Sequence, residues 1–285
     1  GLPADVKVGD RLLLADGMME LEVVRSVGSD ITTRVITGGV LTSHKGVNLP
    51  TGSMQLQALT DKDRDDLKFG LAHDVDYVAL SFVRTVDDIR TIKALIAAQG
   101  RKTPVVAKIE KHEALDHVDD LVEAADAIMV ARGDLGVELQ PEQVPTIQKQ
   151  IIEAALKKNK PVITATQMLE TMSVNPIPTR AEASDVANAL FDGTDAVMLS
   201  GETASGRYPV KALQMMAKIA DHAENSPFMR YNLQFESDAS DPVTHAVSRS
   251  AVHILHEIKA RCIVAFSVSG KTSKQISKQR PNAPV

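Results

Sequence analysis

Lys108 and Glu110 stand two residues apart in the largely apolar run Val105-Val106-Ala107-Lys108-Ile109-Glu110. Residues two apart in a strand point to the same side, so the ammonium and the carboxylate project together. The next apolar run, Ala127 to Val130, is followed by Ala131-Arg132-Gly133-Asp134 and delivers a second carboxylate just past its end. Two carboxylates and an ammonium converging from neighbouring strands make a site for a hard divalent cation and an anionic substrate. Glu110 and Asp134 are the candidate ligands for Mg²⁺, which takes one or two protein carboxylates and fills its shell with substrate oxygens and water. Lys108 would otherwise be an ammonium facing a core without a partner. In a site, it can offset charge on a transferring phosphoryl group or an enolate oxygen. Gly133 leaves its own amide and that of Asp134 open to close approach, and a short helix starting there would favour a carboxylate or phosphate. Thr166, at the end of a later apolar run, can relay a proton or hold substrate.

The elements that must position these groups follow a rhythm. Residues 1–50 read as β, with short runs such as Leu12-Leu13-Leu14, Leu21 to Val24 and Ile31 to Val35 separated by Gly- and Asp-rich turns. Pro50-Thr51-Gly52 marks a boundary. From about residue 60 strands and helices alternate: strands at 77–83, 104–110, 127–131, 161–166 and 195–200, and helices opening near Thr60, Thr85, Glu113, Pro141, Thr179 and Pro209. The spacing is that of a βα unit, and strand cores apolar on both faces suit parallel strands covered by helices. Each strand ends in polar residues at its C-terminal edge, where α/β sheets and barrels carry their active sites: Ser81 and Arg84, Lys108 and Glu110, Arg132 and Asp134, Thr166 and Gln167, Ser200 and Glu202. Five units cannot close an eight-stranded barrel. A polar connection at 225–240 leads to a helix at 242–258, a strand at 262–266 and a helix from Lys271.

A net charge of −5 with both signs interspersed gives no argument for nucleic acid or an anionic membrane. No apolar run approaches the length of a membrane helix. Cys262, the single cysteine, lies in the run Cys262-Ile263-Val264-Ala265-Phe266 and is expected to be a buried thiol in a reducing cytoplasm. Ser269-Gly270-Lys271-Thr272 resembles the end of a phosphate-cradling loop but lacks its first glycine, since Ala265 stands there. His253 and His256 read as a helix face without a third ligand, and Met215-Met216 as core. The chain starts at Gly1 inside an expected sheet and stops at Val285 just after a helix, so both ends read as cut.

The motifs then resemble one family in order: Lys45-Gly46-Val47-Asn48-Leu49-Pro50, Ala107 to Glu110, Ile128 to Gly136, Ile163 to Leu169, Pro178 to Glu182 and Met198 to Thr203 are similar to those of the pyruvate kinase family. The resemblance covers essentially the whole chain. It implies an α/β fold: part of an inserted β-rich lid (1–50), strands four to eight of a (β/α)₈ TIM barrel (51–227), and the start of a C-terminal α/β regulatory domain (228–285). It implies the transfer of the phosphoryl group of phosphoenolpyruvate to ADP, giving pyruvate and ATP in glycolysis, in the cytoplasm.

By motif, Glu110 and Asp134 would bind Mg²⁺ or Mn²⁺, and Lys108 would stabilise the phosphoryl group in flight. The amides near Gly133 and Asp134, with Thr166, would hold the substrate carboxylate, with Thr166 near the path of the proton. Lys45 would contact the nucleotide. Ser267, Ser269, Gly270, Lys271 and Thr272 resemble part of a loop for an activating sugar phosphate. The first three barrel strands, with a phosphate-gripping arginine and most ligands of an activating K⁺, are expected outside this chain, so the chain alone is expected to be inactive and to expose sheet edges. The family is generally tetrameric, so a homo-oligomer is expected at full length. Lys111 and Ile177 depart from the family's usual Asn and Arg; neither is expected to touch the core chemistry. Two other classes stay open: a Mg²⁺ barrel acting on an enolate without nucleotide, such as a lyase or aldolase of 2-oxo acids, and a non-catalytic module that binds metabolites or partners.

Overall fold

The computed structural model describes residues 2–15, 17–43, 45–49, 59–229 and 242–285. By density of contacts the chain divides into two units: residues 1–125 with 129–148, and residues 126–128 with 149–285. The expected boundary at residue 50 lies outside the described residues, as do residues 230–240 of the connection expected at 225–240.

The first unit opens with the short helix α1 (Leu2–Asp5) and the strands β1 (Arg11–Leu14), β2 (Met19–Val27), β3 (Asp30–Thr37) and β4 (Val47–Asn48). They form an antiparallel sheet in the order β3-β2-β1-β4. Alternation along the strands turns Leu12 and Val23 inward, where they bury with Val6 and Leu49 in a small core. The outward face carries cross-strand ion pairs, Arg11 with Glu20 and Arg34 with Glu22.

Then comes α2 (Asp61–Ala72), whose start is closed by a capping box: Thr60 Oγ1 accepts from the Asp63 amide, and the Thr60 amide donates to Asp63 Oδ2 at 2.8 Å. β5 (Val78–Leu80) leads to α3 (Val86–Ala98), where the Thr85 amide donates to Asp88 in the same manner. β6 (Val105–Ile109) is followed by a 3₁₀ turn (His112–His117) and only then by α4 (Val118–Ala124). The helix expected from Glu113 is therefore split. Ala114 is the one buried residue of that turn, too little apolar surface to dock a full α-helix there. β7 (Ala127–Ala131) is buried at every residue and runs directly into α5 (Arg132–Glu138). α6 (Val144–Lys157) starts a little later than Pro141.

The second unit continues with β8 (Val162–Ala165), a 3₁₀ turn (Glu170–Ser173), α7 (Arg180–Phe191), β9 (Ala196–Met198), α8 (Gly201–Ala204) and α9 (Pro209–Glu224). Its core gathers Met168, Leu169, Met172, Val186, Leu190 and Met216, with Met215 packed against them, so the paired methionines do serve the core. α10 (Pro242–Glu257) and α11 (Lys271–Lys278) complete it. Lys278 Nζ donates to the Lys157 carbonyl at the end of α6, and Arg280 bridges the Gly193 carbonyl and Asp195.

β5 to β9 follow one another in chain order in one five-stranded sheet, in which β5 and β9 are not paired to each other. Val78 stands opposite Val105 and Ile163 opposite Ala196 in the parallel pairs β5–β6 and β8–β9. This is the expected α/β class with a partial, unclosed barrel sheet. β9 departs from the expected burial on both faces: its three residues are exposed or half-buried, as befits an outer strand.

Two expectations near the end of the chain fail together. Residues 262–266 form no strand, because among the described residues no second strand lies alongside; Ile263 donates only to the Pro284 carbonyl. Cys262 is consequently exposed rather than buried, and Phe266 is 94 % exposed. No described helix is long and apolar enough to cross a membrane.

Ile151 of α6 is fully buried, whereas Val210 of α9 is 65 % exposed. Ile151→Ala should lower the free energy of unfolding by about 2–5 kcal/mol. Val210→Ala should change it by no more than about 0.5 kcal/mol. Urea denaturation followed by circular dichroism reads both.

Candidate active site

Glu110 dominates the first unit's polar chemistry because its side chain is withdrawn from water while carrying a carboxylate. It directly follows β6 and is fully buried. One oxygen, Oε2, accepts the Phe82 amide at 2.7 Å. The other, Oε1, lies 2.6 Å from Lys108 Nζ as an ion pair but has no well-directed hydrogen bond. The same-side placement of Lys108 and Glu110 expected from their spacing is thus realised. Lys108 is 24 % exposed at its side chain and also donates to Ser81 Oγ at 2.8 Å, just past the end of β5.

Burial pushes the Glu110 carboxyl above the usual carboxylate range. The Lys108 ammonium and the Phe82 amide oppose that rise, and the Asp134 charge adds to it. Asp134, in the first turn of α5, therefore feels Glu110 electrostatically, which brings the two candidate ligands into one field. A shielded Oε1 without a directed donor, beside a second carboxylate, fits a hard, oxygen-seeking dication of the Mg²⁺ or Mn²⁺ kind. Gly133 precedes Asp134 in the same helical turn, so the short helix expected there is present.

A cavity of about 800 Å³ opens in this unit. Its lining runs from Gly46, Val47 and Asn48 past α2 and β5 to Ser81, Phe82, Lys111 and Asp134. Lys45 is exposed and adjoins the lining residue Gly46.

Thr166 belongs to the second unit. It follows β8 with φ +70°, and Gln167 follows with φ +53°. A β-branched residue in the left-handed region is an outlier, costing on the order of 1–3 kcal/mol unless the surroundings over-determine it. Two carboxylates anchor the chain that follows. Glu202, fully buried, accepts the amides of Leu169 at 3.0 Å and Ser200 at 2.7 Å. Glu182 accepts the amide and hydroxyl of Thr171 and the amide of Thr179, which closes the start of α7. Burial raises the Glu182 carboxyl, but the hydrogen bonds from Thr171 and Thr179 outweigh it and hold the group below its ordinary range.

The segment Ser267 to Thr272 stands in the second unit too: Gly270, with φ +77°, precedes α11, and Ser267, Ser269 and Lys271 are exposed. His253 and His256 join no group of three potential metal ligands among the described residues. Ile177 is exposed. Lys111 lines the cavity of the first unit, pairs with Glu138 and stands 5.8 Å from the Phe82 ring centre.

Sequence reasoning missed the Phe82 amide, which reaches Glu110 because Phe82 itself adopts φ +55°. Side-chain type carries no signal for that. The role of Glu182 was legible in part, since Thr179-x-x-Glu182 is a capping pattern.

Comparison with known proteins adds two matches. The model of the family "Pyruvate kinase, barrel domain" matches residues 1–213, and that of "Pyruvate kinase, alpha/beta domain" matches residues 245–285. "Pyruvate kinase 2" of Synechocystis is 49 % identical over all of this chain and 48 % of its own length. The pyruvate kinases of Thermotoga maritima and Geobacillus stearothermophilus are 42 % and 48 % identical, with 60 % and 49 % of their lengths covered. The chain thus spans about half of the curated relatives it matches.

The raised Glu110 carboxyl has a consequence for stability. The folded state holds that proton more tightly than the unfolded chain, whose ordinary value is 4.5. The stabilisation is complete below that value and is lost as pH rises through the higher folded value. Relative to Glu110→Gln, the natural chain without divalent ions should lose stability across that rise, in denaturant titrations at stepped pH. Mg²⁺ should restore it at pH 7.5 in the natural chain and not in the variant.

Proposed function

Because the chain belongs to the pyruvate kinase family, we propose that the protein it represents transfers the phosphoryl group of phosphoenolpyruvate to ADP. The enol phosphate P–O bond breaks, a new P–O bond forms to the terminal oxygen of ADP, and the enolate takes a proton at carbon to become pyruvate. The observation that carries this reading is the Lys108–Glu110 pair, an ammonium and a buried carboxylate at the end of one strand, with Asp134 beside them.

Phosphoryl transfer asks little covalent work of a protein and much positioning and charge stabilisation. Glu110 and Asp134 would hold a Mg²⁺ or Mn²⁺ ion, which supplies positive charge to the phosphoryl oxygens. Lys108, already held by Ser81, is free at its exposed side to meet the transferring group. The amides of Gly133 and Asp134 would receive the substrate carboxylate, and Thr166 would hold substrate and stand near the proton's path. Lys45, beside the cavity lining, would contact the nucleotide, with the β1–β4 sheet excluding water over it. The K⁺ that the family resemblance implies would take most of its ligands outside this chain. The loop Ser267 to Thr272 would receive an activating sugar phosphate. A homo-oligomer in a reducing cytoplasm completes the proposal.

Lys108→Met, made in the protein at the full length of its relatives, should lower kcat by about 10²–10³-fold, as loss of one preorganised charge-stabilising donor does. Mg²⁺ binding should persist, since Glu110 and Asp134 remain. Turnover undiminished by this change would remove Lys108 from the mechanism. Pyruvate release that proceeds without ADP would replace phosphoryl transfer to a nucleotide with another enolate reaction.

A further inference from the structure

His112, Glu113 and Glu138 meet in the first unit, and Glu113 lines the same cavity as Asp134. His112 Nδ1 lies 3.1 Å from Glu138 Oε2 and 3.3 Å from Glu113 Oε2. Each of the three residues offers a ligand atom within 4.8 Å of the other two, the one such group of three among the described residues. Glu138 contributes a side chain only 1 % exposed, whereas His112 and Glu113 are 41 % and 29 % exposed. The cluster is therefore anchored at its base and reachable from solvent.

Proton bookkeeping shows what is missing. A single imidazole nitrogen carries at most one proton and cannot donate it along two directions at once. Two carboxylate oxygens face His112 Nδ1, so one of them must go without. The shortfall falls on Glu113 Oε2, which is shielded from water and has no directed hydrogen bond. A dication between the three atoms would accept from all of them. Metal–ligand bonds of about 2.0–2.2 Å put neighbouring corners of a tetrahedron about 3.3–3.6 Å apart. The observed 3.1 and 3.3 Å need little adjustment to reach that.

We propose that His112 Nδ1, Glu113 Oε2 and Glu138 Oε2 form a binding site for a borderline transition-metal dication of the Zn²⁺ class, distinct from the Glu110–Asp134 pair. The imidazole sets the selectivity, because Mg²⁺ seeks oxygen ligands whereas Zn²⁺, Co²⁺ and Ni²⁺ accept nitrogen readily. Lys111 pairs with the other oxygen of Glu138, Oε1, leaving Oε2 to the metal. Two carboxylates outweigh that one ammonium, and the exposure of His112 and Glu113 lets solvent complete the coordination.

The test is calorimetric titration of the whole chain with Zn²⁺ in excess Mg²⁺, in a Cys262→Ser background that removes the exposed thiol. One Zn²⁺ should bind per chain despite the Mg²⁺. His112→Ala and Glu113→Gln should each weaken it by at least the about 10–100-fold that loss of an outer-shell partner costs. Glu110→Gln should leave it unchanged. Co²⁺ added to the same proteins should give visible d–d absorption that His112→Ala abolishes. Glu113 is partly exposed, so Glu113→Gln remains informative should another variant fail to fold. The proposal is overturned by Zn²⁺ that Mg²⁺ displaces fully, by binding insensitive to both His112→Ala and Glu113→Gln, or by binding lost in Glu110→Gln alone.

Discussion

A carboxylate taken fully out of water has to be met by donors or cations, and Glu110 imposes that requirement on everything around it. It draws Lys108 across from the same face of β6, and it draws the Phe82 amide in from the turn after β5. Phe82 can supply that amide only by taking a left-handed backbone conformation. Lys108 in turn is steadied by Ser81 from the same turn. Two successive residues after β5 are therefore committed to one pair at the end of β6. The geometry of the site and the pairing of these strands are one arrangement.

The second unit solves a similar problem with the same chemistry. Thr166 and Gln167 sit in left-handed backbone conformations that persist only where the surroundings over-determine them, and the fully buried Met168 and Leu169 follow directly. Glu202 and Glu182 hold the chain that follows by accepting the amides of Leu169 and Thr171, and tie it to Ser200 and Thr179. Acidic residues that look at sequence level like candidate acids or ligands are in this way structural acceptors. Gly206 belongs to the same region: a Cβ there would lie 2.5 Å from the Glu202 carbonyl, so the chain passes too closely for any side chain. Charge at a strand end thus has two uses here. At Glu110 it is left partly unsatisfied, and at Glu202 and Glu182 it is spent on amides.

Periodicity determined much. The β-rich start, the alternating strands and helices, the caps at Thr60, Thr85 and Thr179, and the shared side of Lys108 and Glu110 follow from side-chain type and spacing, which are local properties. The motifs likewise carried the family. Tertiary structure decided what depends on neighbours distant in the chain. The run 262–266 has strand composition yet forms no strand, because a strand exists only with a partner to take its hydrogen bonds. Cys262 follows it into solvent. Lys111 became part of a network because α5 carries Glu138 back to it, and His112 and Glu113 acquired a common centre for the same reason. Backbone donors such as the Phe82 amide are the same in every residue. Which of them meets a carboxylate is decided by where the folded chain places it.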